Sequence, residues 1–387
     1  MNNINTLCQI CKMGEGAKYI ELNNTVGQQW YIPQKNSNIH LSLFQPSSVR
    51  GKIVVSAFNI IKYIPFVLHK INAKEIKLSF VTEFQEFVDN LFGYKNCTFG
   101  IFCGSPGFHQ KPTLLITNGN KILGYCKLTD NQSVKSLFIR EKNNLDYLHS
   151  KGIYNVPKSL FCGALDFCHN VDAFIQTTQR QQNVKIAKPT SKELIDFIKE
   201  WTIKTSKEIS FEESDFAKVL RRLIIEIKLI SNADIQKIYS QTITFLSCNK
   251  DVILNYCAYH GDLTPWNSFI IEDRLFVFDL EYFGQSYTPW CDYFHFFTQD
   301  MLYNNTNADA KQIYHQYVKL RSNELSILDT PDFLYLAYLL VIADFYLNRD
   351  AGILNERIGK CFKIWSELIT YLLDDIKKNH KQHYIIS

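Results

Sequence analysis

Residues 259–281, YHGDLTPWNSFIIEDRLFVFDLE, constrain this chain more tightly than any other stretch. Pro265 opposes a continuous helix, because its ring fixes φ, removes an N–H and pushes the preceding residue out of the helical region. HGDLTPWN is therefore expected to be a loop that presents His260, Asp262 and Asn267. Two apolar runs follow, SFII and RLFVF, separated by Glu272, Asp273 and Arg274. Short apolar runs on either side of a tight polar turn read as a hairpin. A hairpin brings its ends together, so Asn267 and Asp279 are expected side by side, with Glu281 two residues on. An amide oxygen and a carboxylate at that spacing are the hard oxygen ligands that Mg2+ takes, with its other positions left for phosphate oxygens. Asp262, on the loop in front, is positioned to accept a proton from an attacking hydroxyl.

The elements before this loop change character twice. Residues 1–92 form a leading region in which QQWYIP and HLSLFQP read as short extended pieces closed by proline. A helix is expected around 51–70, a strand at EIKLSFV, and a helix at TEFQEFVDNLF with Phe84, Phe87, Val88 and Leu91 on one side and Thr82 as its cap. In residues 93–180, CTFGIFCG, PTLLITN and KILGYCKL are strand-like and separated by turn residues. SVKSLFIREKNNLDYLHSKG repeats Leu137, Glu141, Leu145 and Leu148 at helical spacing, with Gly152 as a stop. LFCGALDFC and DAFIQTT return to strand. After the polar connector TTQRQQN, helices dominate residues 181–387. Three segments are therefore expected: 1–92, 93–180 and 181–387.

A chain of 387 residues exceeds one ordinary core, and 46% hydrophobic with 21% charged residues makes it globular rather than disordered. A net charge of +4 lacks the clustered basic stripes of a nucleic-acid binder, so no nucleic-acid partner is expected. Eleven cysteines lie without a framework; Cys8 and Cys11 are one close pair with no second pair to complete a zinc site, so free thiols and a reducing cytoplasm are expected. No segment has the apolar length of a membrane span. The nearest, residues 53–68, carries Asn59, Lys62 and Pro65 and reads as a packed amphipathic helix or as one lying on a membrane surface.

The pattern H-x-D-x-x-x-x-N in HGDLTPWN, followed a dozen residues later by D-x-E in FDLEYFG, resembles the aminoglycoside phosphotransferase and choline kinase family, a branch of the protein-kinase-like fold. The resemblance covers residues 93–387. It implies an α+β, two-lobed fold with a small antiparallel-sheet N-lobe and a larger helical C-lobe, here preceded by an N-terminal extension. It also implies ATP or GTP as co-substrate, Mg2+ held by Asn267 and Asp279, and Asp262 as the base.

By the same analogy Lys127, on the third strand with Leu123 and Tyr125, contacts the nucleotide's phosphates, and Glu141 on the following helix holds it in an ion pair. Gly104, Ser105 and Gly107 are either a phosphate-approaching loop or a plain hairpin turn, since Pro106 removes one donor. Gln176 and Thr178 match the hinge that meets adenine. His260 and Glu281 are accessory: His260 braces the loop, and Glu281 is a second metal contact or a salt-bridge partner. Asp292 caps or braces a helix behind the loop, or else meets the substrate. The function implied is transfer of a γ-phosphoryl group to a hydroxyl of a sugar, glycan or amino-alcohol. The alternative is a nucleotide-binding pseudokinase serving as an assembly part. Residues 50–77 are the expected contact with a membrane or a glycan-assembly partner.

Overall fold

The computed structural model describes residues 3–44, 49–104, 107, 110–252, 255–304, 308–349 and 355–383. It divides into two compact units, Met1–Ser150 with Tyr154–Lys185, and Lys151–Ile153 with Ile186–Ser387. One is built on an antiparallel sheet and the other mainly on helices, the α+β class expected.

In the first unit, helix α1 (Asn3–Ile10) leads into β1 (Cys11–Asn23) and β2 (Gln29–Pro33). Helices α2 (Ser37–His40), α3 (Val49–Ile61) and α4 (Pro65–Lys70) follow, then β3 (Ala73–Phe80) and α5 (Thr82–Phe92). Strands β4 (Thr98–Phe102), β5 (Thr113–Asn118) and β6 (Lys121–Thr129) precede α6 (Gln132–Ser150), and β7 (Ser159–Ala164) and β8 (Asp172–Thr177) close the unit. All eight strands join one sheet in the order β3-β1-β2-β4-β5-β6-β8-β7. The boundary expected at residue 92 therefore falls inside a continuous sheet, joined where Trp30 and Tyr31 of β2 pair with Phe102 and Ile101 of β4.

The two-residue period of a strand sends alternate side chains to opposite faces. In β1, Tyr19 enters a core with Phe84, Val88, Phe99 and Ile101. Its neighbours Ile20 and Leu22 enter another, with Trp30, Phe58 and Leu68 under α3 and α4. Three local expectations are corrected. The described part of HLSLFQP, residues 40–44, is not a strand (Gln45 and Pro46 lie outside the described residues): it ends α2 and forms a short 3-10 helix, Leu41–Leu43, because Ile39 and Leu41 both turn into apolar clusters. The helix expected over 51–70 is two, broken before Pro65. The N-cap of α5 is Val81, not Thr82.

His40 is wholly buried, with Nε2 against Thr117 Oγ1 at 3.1 Å. Gly100 makes room for its ring: a Cβ there would lie 2.6 Å from Nδ1. Burial lowers the His40 pKa from 6.5 to about 3. Below pH 6.5 the unfolded chain takes up a proton that the folded chain refuses. The stability tied to His40 is therefore complete above pH 6.5 and is lost as pH falls toward 3. In urea unfolding, His40→Asn should remove part of the acid sensitivity. Wild type is expected to lose about 2 kcal/mol more than the variant between pH 7 and 5; equal losses would contradict this.

In the second unit, α7 (Lys192–Thr205), α8 (Asp215–Glu226) and α9 (Ala233–Cys248) come first. Four short strands follow: β9 (Cys257–Tyr259), β10 (Ser268–Ile271), β11 (Arg274–Val277) and β12 (Gly284–Tyr287). Helices α10 (Cys291–Asn304), α11 (Ala310–Ser322), α12 (Pro331–Arg349) and α13 (Glu356–His383) complete it. Residues 333–343 of α12 are buried without a break, so this helix is the unit's core. No helix among the described residues is long and apolar enough to cross a membrane.

Candidate active site

The hairpin expected from SFIIEDRLFVF is present: β10 and β11 pair antiparallel, with Ser268 opposite Val277 and Ile271 opposite Arg274. Its two turn residues, Glu272 and Asp273, both have positive φ, 49° and 58°. Two such residues make the turn whose twist matches a right-handed strand pair. The ladder extends one bond further, from Phe278 N–H to the Asn267 carbonyl at 3.1 Å. Asp279 follows immediately in a left-handed conformation, φ 72°. The hairpin thus delivers Asn267 and Asp279 to the same end, with Glu281 two residues beyond.

The loop before it is fixed from three sides. Asn267 N–H closes a turn on the Thr264 carbonyl at 3.1 Å, with Pro265 second in that turn. Trp266 packs on Tyr303 of α10, ring centroids 4.8 Å apart. Ahead of the loop, β9 is pinned to α7: Trp201 Nε1–H donates to the Ala258 carbonyl at 2.8 Å and Ala258 N–H donates to Thr205 Oγ1 at 2.9 Å. On its other side β9 pairs with β12, itself held to α8 because Asp215 accepts the N–H groups of Gln285 and Ser286, each at 3.1 Å.

Asp292 and His260 hold the turn of the loop. Asp292, in the first turn of α10, is buried and accepts the His260 N–H with both oxygens, at 3.0 and 2.9 Å. Burial pushes its carboxyl up to about 7, and the backbone N–H groups of His260 and Gly261 pull the other way. His260 is wholly buried and engaged at both ring nitrogens: Nε2–H donates to the Phe278 carbonyl at 3.1 Å, and Nδ1 accepts from Asp262 N–H at 3.3 Å. That network assigns the proton to Nε2. Burial lowers its pKa to about 4 against the opposing charges of Asp262 and Asp279. Its bonds are to the backbone on both sides.

Asp262 is part-exposed, its side chain 36% accessible. Each carboxylate oxygen has one donor. Asn267 Nδ2 gives a proton to Oδ2 at 2.9 Å and another to the Asp262 carbonyl at 3.0 Å. His295 Nε2–H donates to Oδ1 at 3.2 Å, while its Nδ1 accepts from the Tyr338 hydroxyl at 3.4 Å. Sequence reasoning missed His295. The available signal was its spacing: Asp292 and His295 are three apart on α10 and so share a face. With both amide hydrogens spent on Asp262, Asn267 keeps its oxygen to give to a metal, and the Asp279 carboxylate is the matching hard donor.

In the first unit, Lys127 and Glu141 form the expected ion pair, 3.0 and 2.8 Å from Nζ to the two carboxylate oxygens, both residues buried. Lys127 shares a face with Tyr125 but not with Leu123. The register shifts between Ile116 and Thr117 opposite β6, and the extra residue turns Leu123 into the cluster of Cys126 and Leu128. Gly104 has φ 81° and its missing Cβ would lie 2.7 Å from the Lys111 carbonyl, a close approach within the β4–β5 connection. Gly107 is exposed, and Ser105 lies outside the described residues. Gln176 is inside β8, opposite Tyr125 on one side and Ser159 on the other. Thr178 N–H donates to the Leu123 carbonyl at 3.3 Å.

No family model matches the chain. No curated protein matches it. Among solved structures it is similar to a choline kinase from Streptococcus pneumoniae, with a TM-score of 0.46 at 14% identity over 74% of this chain and 98% of that one. It is also similar to the GDP complex of aminoglycoside 2'-phosphotransferase-IIIa, with a TM-score of 0.48 at 11% identity over 74% and 98%. A third is an amicoumacin kinase in complex with AMP-PNP and Ca2+, with a TM-score of 0.42 at 12% identity over 70% and 87%. Values this low do not transfer a function, so the reading of this chain rests on its own residues.

Gly261 gives a direct test of the loop. It has φ 89°, and a Cβ there would lie 2.4 Å from the Tyr282 carbonyl oxygen, a backbone atom that cannot swing aside. Gly261→Ala is expected to cost about 2–4 kcal/mol in chemical unfolding. An unchanged midpoint would mean that the loop is not held as described.

Proposed function

We propose that the chain is a small-molecule kinase that moves the γ-phosphoryl group of ATP or GTP to a hydroxyl of a sugar, glycan or amino-alcohol acceptor. The observation that carries this reading is Asp262: part-exposed, with one donor on each oxygen, on a loop whose backbone is braced by His260 and Asp292. A carboxylate so oriented has lone pairs left for one incoming hydroxyl. The acceptor's O–H proton passes to Asp262 as its oxygen bonds to the γ-phosphorus. The bond from that phosphorus to the bridging oxygen breaks, and the nucleoside diphosphate leaves. His295 and Asn267 position Asp262 and do not touch the reacting atoms.

Asn267 and Asp279 are the pair that would hold Mg2+, whose charge, when bound, offsets that on the nucleotide's phosphate oxygens. Lys127 is assigned to the phosphates, with Glu141 keeping its ammonium in one rotamer. Gly104, Ser105, Gly107, Gln176 and Thr178 remain assigned to the nucleotide by position in the chain alone. A cytoplasmic enzyme fits the set of free thiols. A contact of residues 50–77 with a membrane surface belongs to the same reading.

The pseudokinase alternative draws on Gly104, whose conformation is accounted for by its approach to Lys111 without any phosphate. The deciding experiment is transfer from γ-labelled ATP, and separately GTP, into a fractionated metabolite and glycolipid extract with Mg2+ present. A labelled product made by wild type and absent with Asp262→Asn supports the kinase; no product in any fraction counts against it. With the acceptor so identified, Asp262→Asn should lower kcat by about 10²–10⁴-fold and leave nucleotide affinity within about twofold. Asp279→Asn should instead weaken Mg2+-dependent nucleotide binding itself, by at least about tenfold. Full turnover in Asp262→Asn would remove the role given to that residue.

A further inference from the structure

The corner between α3 and α4 is not accounted for by phosphoryl transfer. Four consecutive residues, Tyr63, Ile64, Pro65 and Phe66, are exposed there, and Ile60 joins them one turn earlier. Ile60, Tyr63 and Phe66 are each about two-thirds exposed, at 69, 65 and 67%. Elsewhere among the described residues the exposed large apolar side chains are scattered, apart from Ile224, Ile225 and Leu229 at and just beyond the end of α8. Contiguous exposed apolar surface marks an interaction site more often than single residues do.

The corner is anchored from beneath. Phe58 and Leu68 are buried in the cluster that includes Ile20, Leu22 and Ile32 of the sheet. Lys62, also buried, donates from Nζ to the Gln34 carbonyl at 3.0 Å and to Ser37 Oγ at 2.9 Å. The exposed set is therefore presented on a fixed support.

Its surroundings are basic. Residues 60–77 hold four lysines against a single acid, Glu75; Lys62 is the buried one, Lys74 pairs with Glu21 of β1 at 3.4 Å, and Lys70 and Lys77 remain for the surface. Lys70 Nζ sits 4.4 Å from the Phe66 ring centroid. Lys18 and Lys77 lie opposite each other in register on β1 and β3, on the sheet face that α3 and α4 cover, with Glu75 engaged by Lys18 at 2.9 Å. Projecting aromatic and aliphatic tips ringed by ammonium groups match the boundary of a bilayer, where rings enter the acyl region and lysine stems reach back to anionic headgroups. A second copy of the chain would bring the same lysines against each other.

We propose that the α3–α4 corner docks the protein on an anionic lipid surface, with Ile60, Tyr63, Ile64 and Phe66 inserted and Lys70, Lys77 and Lys18 at the headgroups. It deepens the contact of residues 50–77 named above and does not depend on the transfer chemistry. The test is cosedimentation of the full chain with vesicles of phosphatidylcholine alone and of phosphatidylcholine mixed with phosphatidylglycerol. Wild type should pellet with the mixed vesicles and stay in solution with the neutral ones. The exposed double substitution Tyr63→Ser/Phe66→Ser, and separately Lys70→Glu/Lys77→Glu, should each lower the partition coefficient at least about tenfold while melting like wild type. Asp262→Asn should bind vesicles as wild type does, so failure of the kinase reading leaves this result standing.

Three outcomes overturn the proposal. Wild type remains in solution with both vesicle types, or Tyr63→Ser/Phe66→Ser binds as tightly as wild type. Alternatively, the serine variant converts a dimer to a monomer with no vesicle binding by either protein, which assigns the corner to a second copy.

Discussion

The His260 end of the loop of residues 260–267 is held by one buried carboxylate, Asp292. A backbone that is neither helix nor strand has N–H groups with no ladder to satisfy them, and leaving one buried and unpaired costs about 1–3 kcal/mol. Asp292 supplies the acceptor for the His260 N–H, and His260 then spans from Asp262 N–H to the Phe278 carbonyl. Loop, hairpin and the start of α10 are thereby tied through two side chains. Gly261 passes so close to Tyr282 that no Cβ fits between them. The result is a rigid setting for one part-exposed carboxylate.

The Lys127–Glu141 pair follows a different logic. Taking both charges out of water costs more than many such pairs return, so a buried ion pair is weak evidence for stability. Replacing one member strands the other, at about 3–5 kcal/mol. The pair lies on the strand and helix between β5 and β7, and under the proposed function its ammonium group is the one that meets the nucleotide's phosphates. Asp262 and Lys127 thus share a pattern: a charged group whose rotamer is fixed by neighbouring side chains.

Much of this was legible in the sequence wherever a signal was local. The EDR turn between two apolar runs gave the hairpin, and with it Asn267 beside Asp279. The three-strand, helix, two-strand order gave β4–β8, and the Lys127–Glu141 pair was implied by the family resemblance placed on that order. Long-range pairing was not legible. The leading strands join the later ones through two residue pairs at the β2–β4 edge, which leave no trace in composition. The β9–β12 ribbon is three and four residues long, and GQSY has no apolar alternation to read. His295 was missed because a lone histidine among phenylalanines looks like core; its meaning appears only when α10 is folded behind the loop. The bulge beside Leu123 reversed one face of β6 because period 2 holds only where the ladder is regular.

The most direct test of the account is calorimetric titration of wild type with ATP and with GTP, with and without Mg2+. The account requires that at least one nucleotide binds, and that Mg2+ strengthens the binding through Asn267 and Asp279. Binding of neither nucleotide, with or without the metal, would contradict it and leave the braced Asp262 loop without a phosphoryl donor.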